Sequence, residues 1–456
     1  MGVGWGDEYR TRSLSESCTT VLNLGAPVAA LRKRNFSLLF LVAMPLALGA
    51  CRAPAGEVEF WAMGLEGEVV ARMVPEFERL HPDVHVRVQQ IPWSAAHEKL
   101  LTAYVGEATP CAFQLGNTWV PEFAALDALD PLEVRIRDSE LVRPDDYFAG
   151  IYDTNVVGAH TFGVPWYVDT RLLFYRSDLL AQSGATSGLG SWESWLDAMQ
   201  RIKREAGPSR YAILLPLTEW QTPVVLALQL GADLLRDGGR YGDFQSDAFR
   251  RAFDFYLGLF RDGLAPRRGD AAVGNVYQDF AAGFFAFYVT GPWNLSEFEK
   301  RMPPALGDAW ATAPMPAPSG DGPGDSVAGG SSLAIFRRCA HKDAAWRWIE
   351  YLTAAEQQVQ LYRLTGDLPS RPTAWKEADL VRNPHAVAFW EQLQHVRSTP
   401  KVPEWERIAG KIGQYAEAAI RGDITPHAAL VSLDDDVDEI LAKRRWMLAR
   451  AEAGQK

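Results

Sequence analysis

The chain is poor in cysteine: four in 456 residues, far below the density of a disulfide scaffold. Cys18 lies in the leader stretch and Cys51 closes it. Cys111 and Cys339 alone remain for the folded part, too few for a metal-ligand set. They can form one bridge in an oxidising compartment, although two cysteines so far apart in sequence read more readily as buried free thiols. Histidine is scarce too. Eight residues are scattered without metal spacing, and His81, His341 and His427 read as surface or helix-start positions. Basic excess is also missing. The formal net charge is −11 with both signs interspersed, which excludes the basic patch that a nucleic-acid partner requires. No internal repeat or low-complexity tract stands out. No metal and no cofactor are expected.

What is present is ordinary globular usage, 47% hydrophobic and 23% charged. The length exceeds one simple core and points to two lobes. The 16 tryptophans are an excess. Tryptophan more often fills a core than a site, so the excess raises the expectation of a flat, partly apolar ligand without proving one.

The N-terminus carries a targeting signal. Arg32-Lys33-Arg34 precedes the apolar run Phe36–Leu48, which has the length of a signal-peptide core and is too short to span a bilayer comfortably. The run ends in Leu48-Gly49-Ala50-Cys51, small residues before a cysteine, which resembles the bacterial lipobox. There the thiol of Cys51 would receive a diacylglyceryl group and the chain would be cut just before it. Residues 1–31 contain Asp7, Glu8 and Glu16 and do not fit a signal peptide. They read as an extension upstream of a true start near Val21 or Val28. Residues 1–50 are therefore set apart as leader and lipoprotein signal.

The remainder alternates strands and helices. Val58–Trp61 reads as a strand, and Glu66–Leu80 as a helix with Val69, Val70, Met73, Phe77 and Leu80 at helical spacing. Val84–Val88 alternates as a strand. Ser94 is placed to cap a helix through Leu100, Leu101 and Tyr104, and Cys111–Leu115 reads as a short buried strand. Ser191 caps a helix, and residues 246–261 carry core aromatics at helical spacing. Ala313–Gly320 is a proline-rich connection. A strand at Ser331–Phe336 and a helix at Lys342–Leu352 resume the pattern. The fold class is α/β, with mostly parallel sheet and helices on both faces. Such sheets bind ligands at the carboxyl ends of their strands, which places Gly64-Leu65-Glu66 and Gly116-Asn117-Thr118-Trp119 at a site.

Four segments carry a family resemblance: Gly163-Val164-Pro165-Trp166-Tyr167-Val168-Asp169, continuing to Arg176; Gly291-Pro292-Trp293-Asn294 behind the aromatic run Phe284–Tyr288; Ala328-Gly329-Gly330-Ser331-Ser332 with its following helix; and Gly366-Asp367-Leu368-Pro369-Ser370-Arg371. In their order and spacing, behind a lipobox, the chain resembles the extracellular solute-binding proteins of ABC importers, the family of the maltose- and trehalose-binding proteins. The resemblance implies the two-lobe periplasmic-binding-protein fold with three hinge crossovers, near 165–168, 311–315 and 355–366. Residues 51–165 with 315–358 would form the N-lobe, and 166–314 with 359–456 the C-lobe.

The resemblance and the chemistry of sugars together select candidate contacts. Hydroxyls need donors and acceptors, and C–H faces pack on aromatic rings. Trp293 matches the family's stacking tryptophan, and Asp169 its cleft carboxylate, although Asp169 could instead pair with Arg171. Tyr167 lies on the same strand. Glu66 is either a ligand contact or a plain helix-start charge. Asn117, Thr118 and Trp119 follow a strand end, where the maltose-binding protein has a charged pair. Trp93 and His97 reach from the first lobe, and Glu219, Trp220 and Gln221 occupy a region of aromatic contact. Gly330 lets the backbone approach, Trp405 is a further candidate, and Arg371 either bonds a hydroxyl or pins its loop. No residue is assigned a catalytic role.

The reading that results is a lipid-anchored extracytoplasmic receptor for a di- or oligosaccharide, trehalose- or maltose-like, held at the periplasmic or cell surface. Its partners would be ABC permease subunits with their cytoplasmic ATPase, its only membrane attachment the lipid, and its state monomeric. Two alternatives stand beside it. A sugar-sensing lipoprotein would feed a receptor instead of a permease. A secreted glycoside hydrolase needs paired carboxylates ~5–10 Å apart, for which Glu66 and Asp169 are the candidates.

Overall fold

A computed structural model describes residues 56–185, 188–267, 275–320 and 322–454. The leader, the lipobox and Cys51 lie outside the described residues.

Two sheets organise the chain. The first begins with β1 (Gly56–Met63), β2 (Val84–Ile91) and β3 (Ala112–Gly116), all parallel. Helix α1 (Gly64–Val70) follows β1 directly, α2 (Trp93–Val105) follows β2, and a single 3-10 turn, Asn117–Trp119, leads from β3 into α3 (Val120–Ala125). Strand β4 (Val164–Asp169) completes one edge. The chain then enters the second sheet, made of β5 (Leu172–Tyr175), β6 (Ile213–Leu214), β7 (Phe287–Thr290) and β8 (Ala311–Ala313), before β9 (Gly329–Ile335) returns to the first. The orders are β2-β1-β3-β9-β4 and β8-β5-β7-β6. β9 runs antiparallel to both β3 and β4, so four of the five strands share one direction, the mostly parallel sheet of the sequence reading, with β9 alone reversed. The reason is topological: β9 comes back from the second lobe and enters from the opposite end.

The helices follow from local rules. α4 (Trp192–Ala206) starts at Ser191, whose Oγ accepts from Ser194 N at 3.1 Å in a reciprocal capping box. Further along come α5 (Gln221–Gln229), α6 (Asp247–Arg261), capped by Ser246, α7 (Trp293–Arg301), α8 (Lys342–Thr353) and α9 (Ala355–Thr365). α10 (Trp405–Arg421) packs into the second lobe. The helix expected over 66–80 is broken. α1 stops at Val70 and a separate helix spans Val74–Leu80. Pro75 explains the break, since its ring has no N–H to bond back and clashes with the carbonyl one turn earlier. Ser94 is not a cap; the helix begins one residue before it, after Pro92.

Each lobe has its own core. Val58, Phe60, Trp166, Leu333, Trp348 and Ile349 pack on one face of the first sheet, and Met63, Leu100, Phe113, Leu115 and Phe336 on the other. Leu173, Trp195, Phe253, Tyr256, Phe287 and Ile412 fill one side of the second sheet. Phe174, Leu295, Phe298 and Trp375 fill the other. The first passage between sheets lies between Asp169 and Leu172, later than the expected 165–168, because β4 stays paired to β9 through Asp169↔Gly329. The return lies between Ala313 and Gly329. The third passage follows α9, which packs on α1, and precedes Trp375 in the second lobe's core.

Cys111 and Cys339 form a disulfide with a Cα–Cα distance of 4.7 Å. The free-thiol expectation rested on their separation of 228 residues. The antiparallel register Ile335↔Ala112 removes that objection, because it lays the start of β3 beside the end of β9.

Candidate functional site

A cavity of about 570 Å³ opens between the two sheets. Its first-lobe wall is built where strands end. β1 runs straight into α1 and leaves Leu65 and Glu66 at the cavity, and β3 ends in Gly116, Asn117, Thr118 and Trp119. Both segments sit at carboxyl ends, as expected for parallel strands. Glu66 is buried. Tyr167 donates its hydroxyl to Glu66 Oε1 at 2.6 Å. The same tyrosine oxygen accepts from Gln114 Nε2 at 2.9 Å and from Ser331 Oγ at 3.1 Å. Gln114 Oε1 in turn accepts from Met63 N at 2.7 Å. Burial and then the Glu66 charge hold the Tyr167 hydroxyl well above its ordinary pKa, so it stays a donor.

The β4 end supplies Asp169 and, just beyond it, Arg171. Arg171 Nη1 lies 2.6 Å from Asp169 Oδ1, so the structural pair exists, and Asp169 still lines the cavity with 31% of its side chain exposed. Burial raises the Asp169 pKa and Arg171 opposes the rise. The guanidinium also sits 4.5 Å from the ring centre of Trp293, within cation–π range. Trp293 opens α7 and is 41% exposed. Its ring lies against the backbone at Gly291, where an added Cβ would sit 1.9 Å from a ring carbon, so only glycine leaves room. Gly330 has φ +121°, and an added Cβ there would meet Tyr167 O at 2.2 Å.

Trp93, 41% exposed, stands edge-on to Trp119 with ring centres 6.0 Å apart. Trp220 and Gln221 face the cavity from the start of α5. Trp93, Trp119, Trp220 and Trp293 thus surround one space that also holds the carboxylates of Glu66, Asp169 and Asp367. Rings offer faces to C–H surfaces and carboxylates accept from hydroxyls, so the space suits a ligand with both.

Four expected residues do not line this cavity. His97 lies behind Trp119 and bonds Glu122 Oε2 through Nε2 at 2.6 Å. Arg371 is buried and pins its loop, bonding Leu141 O at 2.5 Å, Tyr147 Oη at 2.9 Å and Asp146 at 3.2 Å. Trp405 is a core residue, packed edge-on to Trp220 at 5.3 Å. Glu219 precedes Trp220 outside the cavity lining, and its charge adds to the raised pKa of the Tyr256 and Tyr288 hydroxyls.

The structure adds Asp367, with Thr365, Ser296 and Glu297. Gly366, left-handed at φ +87°, ends α9 and turns Asp367 into the wall. Burial, then the nearby Glu66 charge, pushes the Asp367 carboxyl up to about 7. The Gly366-Asp367 step stood in a segment already marked by the resemblance, and a glycine ending a helix before an acid is the signal that could have found it.

Residues 64–359 match the family described as bacterial extracellular solute-binding protein. The sugar-binding protein MalE from Xanthomonas citri has a similar structure. It shares 48% identity with a TM-score of 0.83, over 86% of this chain and 99% of that one. The diacetylchitobiose-binding protein DasA of Streptomyces coelicolor is 24% identical over 77% of this chain and 82% of its own length. An uncharacterised lipoprotein of Streptomyces antibioticus is 26% identical over 85% and 89%. The matched segment contains both strand-end walls, the Asp169–Arg171 step and the Gly-Pro-Trp turn, and the chain belongs to the bacterial extracellular solute-binding proteins, a family that binds and does not catalyse.

Proposed function

We propose that this protein captures a neutral di- or oligosaccharide, trehalose- or maltose-like, between its lobes and delivers it to an ABC permease driven by a cytoplasmic ATPase. The observation that carries the reading is the ring of four tryptophans around a carboxylate-bearing cavity. The volume lies within the ~300–1,000 Å³ of small-molecule sites. Several rings stack more than one pyranose, which favours an oligosaccharide over a monosaccharide. The similarity to a sugar-binding protein and to a diacetylchitobiose-binding protein supports the ligand class. Anchoring at the periplasmic or cell surface through lipid on Cys51 is supported by the lipobox and by the similarity to a lipoprotein. The protein acts as a monomer.

A thermal-shift panel of maltose, trehalose, maltotriose, diacetylchitobiose and glucose tests the reading on the mature protein. A ligand at about 100 times its Kd adds about 2.7 kcal/mol to stability. One or more oligosaccharides should raise Tm clearly above the glucose control. No shift with any of them removes this ligand class.

A further inference from the structure

β4 ends at Asp169 and β5 begins at Leu172, so Thr170 and Arg171 are the whole of the first passage between the sheets. Residues two apart on extended chain project to the same side, and Arg171 Nη1 donates to Asp169 Oδ1 at 2.6 Å. The same guanidinium lies over the ring of Trp293, 4.5 Å from its centre, on a helix whose Leu295 and Phe298 belong to the second lobe's core. The Arg171 side chain is only 8% exposed, and its Nε is buried without a hydrogen-bond partner. A cation so far withdrawn from water needs compensation. The Asp169 carboxylate of the first lobe and the Trp293 ring of the second supply it.

The backbone of Arg171 is held as closely as its side chain. Its N–H donates to Ser326 Oγ at 3.1 Å, and that hydroxyl donates to Arg171 O at 2.8 Å. Ser326 is fully buried and lies on the return passage, between Ala313 and Gly329. One hydroxyl therefore fastens the two passages to each other at Arg171. The Trp293 ring has its other support at Gly291, where no Cβ fits, so its orientation is set by a bare backbone and by a residue of the passage.

We infer that Arg171 is a positioning residue that ties the cavity ring of Trp293 to the paired passages, with its side chain on the ring and its backbone on the Ser326 hydroxyl. The inference deepens the sugar-capture reading and rests on it only in taking Trp293 as the stacking ring. A turn at the passages that displaces Arg171 tilts the ring. A ring fixed by a stacked ligand holds Arg171, and through it both passages. The coupling is reciprocal, as any linkage between a binding face and a conformational equilibrium must be. Asp169 keeps the guanidinium in place, which gives that carboxylate a use besides contact with ligand.

Fluorine NMR of the full chain labelled with fluorotryptophan tests this without ligand, the Trp293 line being the one lost in Trp293→Phe. Arg171→Met should shift that line. So should Arg171→Lys, which keeps a cation for Asp169, gives up the flat stack and stands in if the methionine variant does not fold. Ser326→Ala should shift the line too, although the serine reaches the ring only through Arg171, and should add no further shift in the Arg171→Met or Arg171→Lys background. Calorimetry with maltotriose gives the functional arm. Arg171→Met should weaken its binding about three- to tenfold, the range of one cation–π contact, and should have no such effect in the Trp293→Ala background. A Trp293 line unmoved by both Arg171 variants would overturn the positioning role. A line unmoved by Ser326→Ala, or moved equally with and without Arg171, would overturn the tie to the passages. Failure of the capture reading is seen separately, as maltotriose that does not bind, while the fluorine lines still decide the role of Arg171.

Discussion

Trp293 presents its ring to the cavity from the first residue of a helix, with 41% of its surface exposed, so little of the fold rests on it. Trp293→Ala should weaken oligosaccharide binding by about 1–3 kcal/mol with little change in Tm. Calorimetry showing unchanged affinity takes Trp293 out of the site. Asp367 yields a prediction of a different kind. Its folded pKa of about 7 stands above the ordinary carboxylate value of 3.8. The folded protein therefore keeps this proton where the unfolded chain has lost it. Stability falls as pH rises from near 4 to near 7, and the loss is complete above that. Asp367→Asn removes the titration, so the variant should gain Tm relative to wild type at pH 8 and not at pH 4. Parallel Tm curves across that range would contradict the account. At this scale the site was legible where a rule of topology applied. Glu66 and Asn117–Trp119 follow from strand ends, while Trp293 came from the family resemblance of its Gly-Pro-Trp segment. It was not legible where burial decides. Arg371 and Trp405 carry side chains suited to sugars, but the same side chains fit a loop pin and a core, and residue type does not separate the two uses. Asp367 was missed because its position depends on the left-handed Gly366 and on the end of α9.

Between residue and molecule, the elements explain how each lobe is held together. The first sheet is held together by a strand that arrives from far along the chain. β9 pairs with β3 through Ile335↔Ala112, and the Cys111–Cys339 bridge lies just beyond that pair. The bridge closes a loop of 228 residues that contains the whole second sheet. Constraining so long a loop in the unfolded chain is worth about 2–5 kcal/mol. The double substitution Cys111→Ser, Cys339→Ser should lower unfolding stability by that amount in denaturant titration, and wild type with reductant should behave alike. No loss in either would show that β9 pairing suffices alone. Local signals read the elements well. Ser191 and Ser246 cap the helices that they precede in sequence, and the apolar spacing of α6 marks its buried face. The failures have local causes with non-local partners. Pro75 divides a helix that hydrophobic spacing would continue, and the disulfide depends on a register that no short window contains.

For the whole molecule, the decisive feature is that the cavity takes walls from both lobes. Glu66, Asn117 and Trp119 come from the first, Trp220 and Trp293 from the second, and Asp169 and Arg171 bracket the passage between the sheets. A ligand touching both walls stabilises a shut state by as much as it binds shut better than open. The passages lie between strands, at Asp169–Leu172 and between Ala313 and Gly329, where a few residues can absorb the rotation of a hinge. The two-lobe plan was readable from length and from the order of the four family segments. The exact crossings were not, because strand pairing, and not chain position, sets them. Solution X-ray scattering on the mature protein, with and without a sugar shown by calorimetry to saturate it, tests the clamp most directly. A smaller radius of gyration is expected with sugar bound. An unchanged radius at full occupancy would contradict it, since the ligand would then sit without drawing the lobes together.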